Sequence, residues 1–293
     1  MSQIRKSATA YSGLLVLSVI WGLAFVAIKE ADTELSPVNL ALLRWLLASV
    51  PFLILFPIIG RPKTKFERRD SPRLLAVALA NVAGYHISLN YAETTLSAGL
   101  SALLIAFGPI FIVILSYFLL NEKASRRVLM GLVLAFSGTA VLSAGSVSAG
   151  DLSSYVGIFE ALITALCYAL FTVLAKPLVH KYGSACTTIL AGVIGTALML
   201  PLLSGSFLSQ VSSLSFYGWT SVLYLSLLST VFGYLMFYTL VSRGAVSRLS
   251  IQLYLIPVVS VIGGALLLSE PVSAYVVVGG GMMLVAVGVA TWK

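Results

Sequence analysis

Long apolar blocks separated by short polar gaps run the whole length of this chain. A bilayer-spanning helix needs roughly 20 predominantly apolar residues. The blocks near 11 to 28, 38 to 59, 72 to 92, 97 to 120, 127 to 144, 155 to 175, 185 to 204, 216 to 240, 246 to 268 and 272 to 292 meet that length or come close to it. The pattern predicts an all-α integral membrane protein with ten transmembrane helices.

Composition sharpens this reading. Of 293 residues, 59% are hydrophobic and 10% charged, and the mean hydropathy is +1.02. That is more apolar surface than a soluble core of this size buries. The longest gap, 60 to 71, is too short for a folded aqueous domain, so function must sit within the helices. The net charge of +8 would suggest nucleic acid in a soluble protein, but the positive residues are spread by topology and form no single basic face. The expected medium is the lipid bilayer, with no nucleic acid.

Sixteen of the eighteen Lys and Arg residues lie in every second gap, from Arg5 and Lys6 through the 61 to 73 cluster to Lys293. The opposite side has only Lys29, beside Glu30, Asp32 and Glu34, and Arg44 lies inside the second block. The positive-inside rule then puts both termini in the cytoplasm. Arg5 and Lys6 before an apolar run look like the start of a secretory signal, but the nine later spans favour an uncleaved first helix.

Sliding the chain over itself by 148 residues aligns Pro109 with Pro257, Glu122 with Glu270, Ser125 with Ser273 and Gly131 with Gly279, within ten identities over the 48 positions from 97 to 144. The repeat divides the chain at 1–144 and 145–293, five spans in each half. An odd number of spans makes the second copy enter the membrane from the other side, so the sequence predicts two inverted five-helix repeats. Inverted repeats are a recurring architecture of secondary transporters.

The run Val19 to Val26 around Trp21, and the paired segments Gly108-Pro109 to Glu122 and Ile256-Pro257 to Pro271, resemble the drug/metabolite transporter superfamily. The likeness is specifically to its EamA-type exporters and, among them, to the aromatic amino acid exporters of the YddG type. The resemblance implies a central cavity between the halves, export of amino acids or related metabolites from the bacterial cytoplasm across the inner membrane, and a chain that suffices as a monomer. In the second half, Cys167 and Tyr168 stand where the first has Trp21.

Candidate chemistry is sparse. His86, Asn90 and Glu93 share one face of the third span, and the 148-residue offset pairs His86 with Tyr234 and Asn90 with Tyr238. These four are expected to line a cavity or to make interhelical hydrogen bonds. Trp21 and Tyr168, midway through their spans, offer stacking surfaces, and Ser101, Gln252 and Tyr254 precede the prolines. Pro109 and Pro257 are candidate hinges, since proline removes a donor and bends a helix. Glu122 and Glu270 are expected to cap the helices that follow them. Glu160 is a possible partner for Arg44, whose guanidinium otherwise snorkels to the surface. Gly263, Gly264 and Gly279 to Gly281 are expected to bring the last two helices together.

No cofactor is indicated, and Cys167 and Cys186 have no metal-ligand spacing. Asp32, Asp70 and Asp151 fall in loops, and His86 and His180 are the only histidines, which excludes an aspartyl dyad and an HExxH metal site within the membrane. The reading is a carrier that exports small neutral or zwitterionic solutes, amino acids first. The expected sparse cavity charge argues against strongly anionic ones. A channel-like facilitator, or an efflux protein for another substrate class, is the alternative, with an intramembrane enzyme behind it.

Overall fold

The computed structural model describes residues 2–120, 152–242 and 249–291, with scattered positions between 127 and 141. Among the described residues every regular element is helical. The chain opens with α1 (Ser2–Ala31) and α2 (Pro37–Ile59). The third span is composite, with α3 (Ser71–Ala78), a π-helical segment (Leu79–Gly84) and α4 (Tyr85–Thr95). The fourth is divided into α5 (Ala98–Ile105) and α6 (Gly108–Leu120). Then follow α7 (Leu152–Tyr182), α8 (Ser184–Met199) and the short α9 (Phe207–Ser212). The last spans are α10 (Phe216–Leu223), a second π-helical segment (Tyr224–Phe232), α11 (Gly233–Ser242), α12 (Leu249–Leu267) and α13 (Ala274–Thr291). The expected span near 127 to 144 falls largely outside the described residues, and Glu122 does so entirely.

Five described stretches are long and apolar enough to cross a membrane: Pro37–Ile59, Ala98–Leu119, Leu152–Tyr182, Ser184–Leu202 and Phe216–Phe237. Leu255–Leu267 and Ala274–Ala286 are shorter apolar helices. Their outward faces are apolar too: Val50, Leu53, Ile54 and Ile58 on α2 and Leu266 and Leu267 on α12 are exposed. In water such faces would drive aggregation, whereas lipid is a good solvent for them. Lipid also obliges polar groups to find partners inside the protein. Accordingly Ser49, Thr164, Thr172, Thr187 and Thr196 return their hydroxyls to carbonyls one turn back on their own helices.

Helices from before and after the midpoint interleave. α1 lies along α12, α7 packs against α4 and α6, and α2 against α8. The α1–α12 approach depends on Gly22, where a Cβ would stand 2.6 Å from the side chain of Val259. The late glycines serve other contacts than expected. Gly263 faces Val26 and Leu23 of α1, and Gly280 faces Leu103 of α5.

Two further expectations are corrected. The fourth span is not one bent rod: Phe107 donates back to Leu104 at 3.1 Å, a tight turn closes α5, and Pro109 is the second residue of α6. There proline's missing N–H costs nothing. Pro257, its counterpart, lies inside the unbroken α12. Glu270 does cap a helix, but not the following one, which starts at Ala274. Ser269 adopts φ 55°, Leu268 and Glu270 both donate to Gly264 O at 3.0 and 3.1 Å, and this reversal turns the carboxylate onto the N-terminus of α5. Its Oε1 accepts from Ala98 N at 3.0 Å.

At another point of contact between the halves, the Lys181 ammonium reaches Asp70 at 2.7 Å and Glu67 at 2.6 Å. Tyr182 donates its hydroxyl to Asp70 at 2.6 Å, so the 60 to 71 connection is fastened to the end of α7. The hydrogen bond from Lys181 holds both carboxyls below their ordinary range.

Candidate functional site

The two π-helical segments occupy corresponding places in the repeat, because 79–84 shifted by 148 becomes 227–232. A π turn inserts an extra residue, which redirects side chains and loosens carbonyls from the α ladder. In the second segment Thr230 donates its hydroxyl to Leu225 O, five residues back, at 2.8 Å. The Gly233 N–H donates to Leu228 O and Thr230 O and not to Ser229 O, and Ser229 O accepts from Trp21 Nε1 at 3.0 Å. Ser229 and Thr230 also hold Arg44: its Nε donates to Thr230 Oγ1 at 2.8 Å and its Nη2 to Ser229 Oγ at 3.1 Å.

Just beyond each π segment stand the aromatic groups that enclose a cavity. The first segment leads into Tyr85 and His86, whose rings lie 4.9 Å apart. The second leads into Tyr234 and Phe237, which meet Trp21 at 5.6 and 5.2 Å. Tyr168 and Phe171 of α7 pack edge to face at 5.3 Å. His86 Nε2 and Tyr234 Oη approach to 3.4 Å across 148 residues of sequence. The two residues are counterparts at the 148-residue offset seen in the sequence.

The cavity is about 70 Å³, room for several waters at roughly 10–15 Å³ each. Its wall draws on α1, α2, α4, α5, α7, α11, α12 and the second π segment, and is apolar and aromatic except for Arg44, His86, Ser229 and the tyrosine hydroxyls. Among the described residues no group of three or more His, Cys, Asp or Glu side chains is arranged to hold a metal.

The residues singled out from sequence divide as follows. Trp21, His86, Tyr168, Tyr234 and Pro257 line the cavity. Asn90 does not; it is buried beneath it and donates to Pro37 O at 2.9 Å, fastening α4 to the start of α2. Ser101 is buried without a hydroxyl partner, and its neighbour Ala102 reaches the wall instead. The side chains of Tyr238, Gln252, Tyr254 and Pro109 lie outside the described residues. Of the expected polar stripe only His86 reaches the cavity. Glu93 is fully buried with both carboxylate oxygens unpartnered, and Lys29 binds the backbone carbonyls of Glu93 and Leu96 at 2.5 and 2.8 Å.

Arg44 is the main departure. It neither snorkels nor pairs with Glu160, but is 4% exposed and bonded to the second π segment. A cavity expected to be nearly free of charge therefore has a guanidinium in its wall. The sequence signal was present, since a lone Arg in an apolar span is costly unless it faces the protein interior. Tyr85, Phe171, Phe237 and Ser229 were also missed. Phe171 and Phe237 each lie three residues after a predicted aromatic, on the same helical face.

An all-helical multi-pass membrane protein with an aromatic, singly charged internal cavity is the class that this fold and site define. Residues 8–144 and again 155–292 match the EamA-like transporter family, and the chain belongs to that family. It is 34% identical to an uncharacterized transporter of Archaeoglobus fulgidus, over 96% of this chain and 98% of that one. It is 28% identical to a probable terminal-alkyne amino-acid exporter of Streptantibioticus cattleyicolor, covering 96% and 93%. It is also 28% identical to a probable amino-acid metabolite efflux pump of Salmonella typhimurium, covering 90% and 89%. A solved crystal structure superposes with a TM-score of 0.64 over 97% of this chain and 96% of that chain at 14% identity, which bears on the fold alone.

Proposed function

We propose that this transporter exports amino acids, aromatic or otherwise neutral, from the cytoplasm across the inner membrane by alternating access. In this reading ten spans form two inverted halves, 1–144 and 145–293, both termini are cytoplasmic, and one chain suffices. The observation that carries it is the meeting of His86 and Tyr234 in an aromatic cavity. A solute held on the pseudo-twofold axis is handled by whichever half opens. The relatives named as amino-acid exporter and efflux pump support the substrate class.

Trp21, His86, Tyr168 and Tyr234 are the proposed contact residues, with Ser101, Asn90, Tyr238, Gln252 and Tyr254 around them. The cavity of about 70 Å³ is too small for an amino acid, so the substrate enters as the halves part, rocking near the α5–α6 turn before Pro109 and near Pro257. Counterflow of radiolabelled L-phenylalanine in proteoliposomes tests the proposal. Saturable exchange that falls at least tenfold in Tyr234→Ala is expected. Unsaturable flux would instead indicate a pore, and absence of exchange for every neutral amino acid would reject the substrate class.

A further inference from the structure

We infer that Arg44 is the docking point for a carboxylate on the transported solute. This rests on the cavity being the transport site, and it narrows the substrates to small carboxylic acids with an apolar or aromatic body.

The argument begins with a charge that lacks a counter-charge. Arg44 is 4% exposed and lines the cavity, yet its described partners are the neutral hydroxyls of Ser229 and Thr230. Among the described residues no carboxylate is seen paired with it. Glu93, fully buried on α4, does not serve either, since both its oxygens are without a hydrogen-bond partner. Removing a guanidinium from water without an anion costs several kcal/mol. A residue serving only to tie α2 to the second π segment would do so more cheaply as a neutral amide.

The geometry fits a binding role. A guanidinium has five N–H donors, of which the two hydroxyls engage one each on Nε and Nη2. Thr230 is itself fixed by its bond to Leu225 O, so the side chain is held in place before any ligand arrives. The Trp21, Tyr234 and Phe237 cluster stands in the same wall, ready for an apolar body attached to the acid. Charge-assisted pairing of guanidinium and carboxylate is the strong, directional form of the hydrogen bond.

The test uses the purified full-length protein, read by thermal unfolding and by counterflow in proteoliposomes. The probes are L-phenylalanine, L-phenylalaninamide, phenylacetate and phenethylamine. The two acids are expected to raise the unfolding temperature and compete for exchange, and the amide and the amine to do neither. Arg44→Gln is expected to weaken the acids by about 10- to 100-fold, and Arg44→Lys to retain part of the affinity. If Arg44→Gln does not fold, the acid-against-amide comparison on the wild type decides alone. Equal effects of phenylalanine and its amide, or wild-type affinity for phenylalanine in Arg44→Gln, would overturn the inference while leaving amino-acid export standing. An Arg44-dependent shift with phenylacetate but no exchange of any amino acid would reject amino-acid export and keep the carboxylate site. No response to any acid would overturn the inference.

Discussion

Where α1 meets the second π segment and where α7 meets the first, the same backbone device carries different side chains. On the α1 side, Trp21 lies so close to Gly233 that a Cβ there would stand 2.5 Å from its Nε1. On the α7 side, Cys167 lies over Gly84, one position before the counterpart of Gly233, where a Cβ would stand 2.7 Å from its Sγ. One contact is an indole wedged between Tyr234 and Phe237 and hydrogen-bonded to Ser229 O; the other is a thiol. Similar close approaches at the two π segments thus carry an indole on one side and a thiol on the other.

Replacing the two wedges should show this most strongly. Trp21→Ala is expected to lose about 3–5 kcal/mol of stability and most transport, against less than about 1 kcal/mol for Cys167→Ala. Thermal unfolding beside counterflow on both variants decides, and equal losses would erase the distinction. Next in size are the glycines. Gly233→Ala and Gly84→Ala each overpack, by about 1–3 kcal/mol, but a thiol moves aside more easily than a bonded indole. Gly84→Ala is expected to be the milder and to be rescued by adding Cys167→Ala. A double-mutant cycle with no coupling there would separate the thiol from the glycine.

Where α1 and α7 end, the expected effects are of opposite sign. Asp32 follows α1, and burial pushes its carboxyl up to about 8, with Lys29 opposing. Its proton is bound in the folded chain and released in the unfolded one, so its contribution is greatest below about pH 4 and declines as pH rises to about 8. Asp32→Asn should therefore be stabilising by an amount that grows over that interval, as melting curves from pH 4 to 9 will record. Asp70, beside the end of α7, has the opposite sign because its carboxyl is held low by Lys181 and Tyr182. Its contribution is present above about pH 4 and is lost on acidification, so Asp70→Asn should be destabilising at neutral pH, and by less in high salt.

The helical membrane architecture was legible because lipid requires long apolar runs, and the pairing of His86 with Tyr234 because the repeat offset brings counterparts together. The sequence marked a break near Pro109, and it falls in the turn just before that proline, at Ala106–Phe107. The π segments left no trace in composition, being a choice of hydrogen-bond register that apolar residues permit but do not encode. Arg44 was seen and misread, because hydropathy gives the depth of a residue in a span but not which way it faces. Asn90 shows the converse: the correct helix face, but one turn below the cavity.

Glu270 and Lys181 each join the halves at a contact outside the cavity, and the two fastenings differ in kind. Drawing Lys181 away from Asp70 and Glu67 hands its charge to water, which solvates it readily. Drawing Glu270 away from Ala98 takes the acceptor from the N–H of a fully buried residue at the start of α5, which is the more costly loss. Under the proposed alternating access, these two fastenings part at unequal cost, and that inequality alone gives the cycle a preferred resting end.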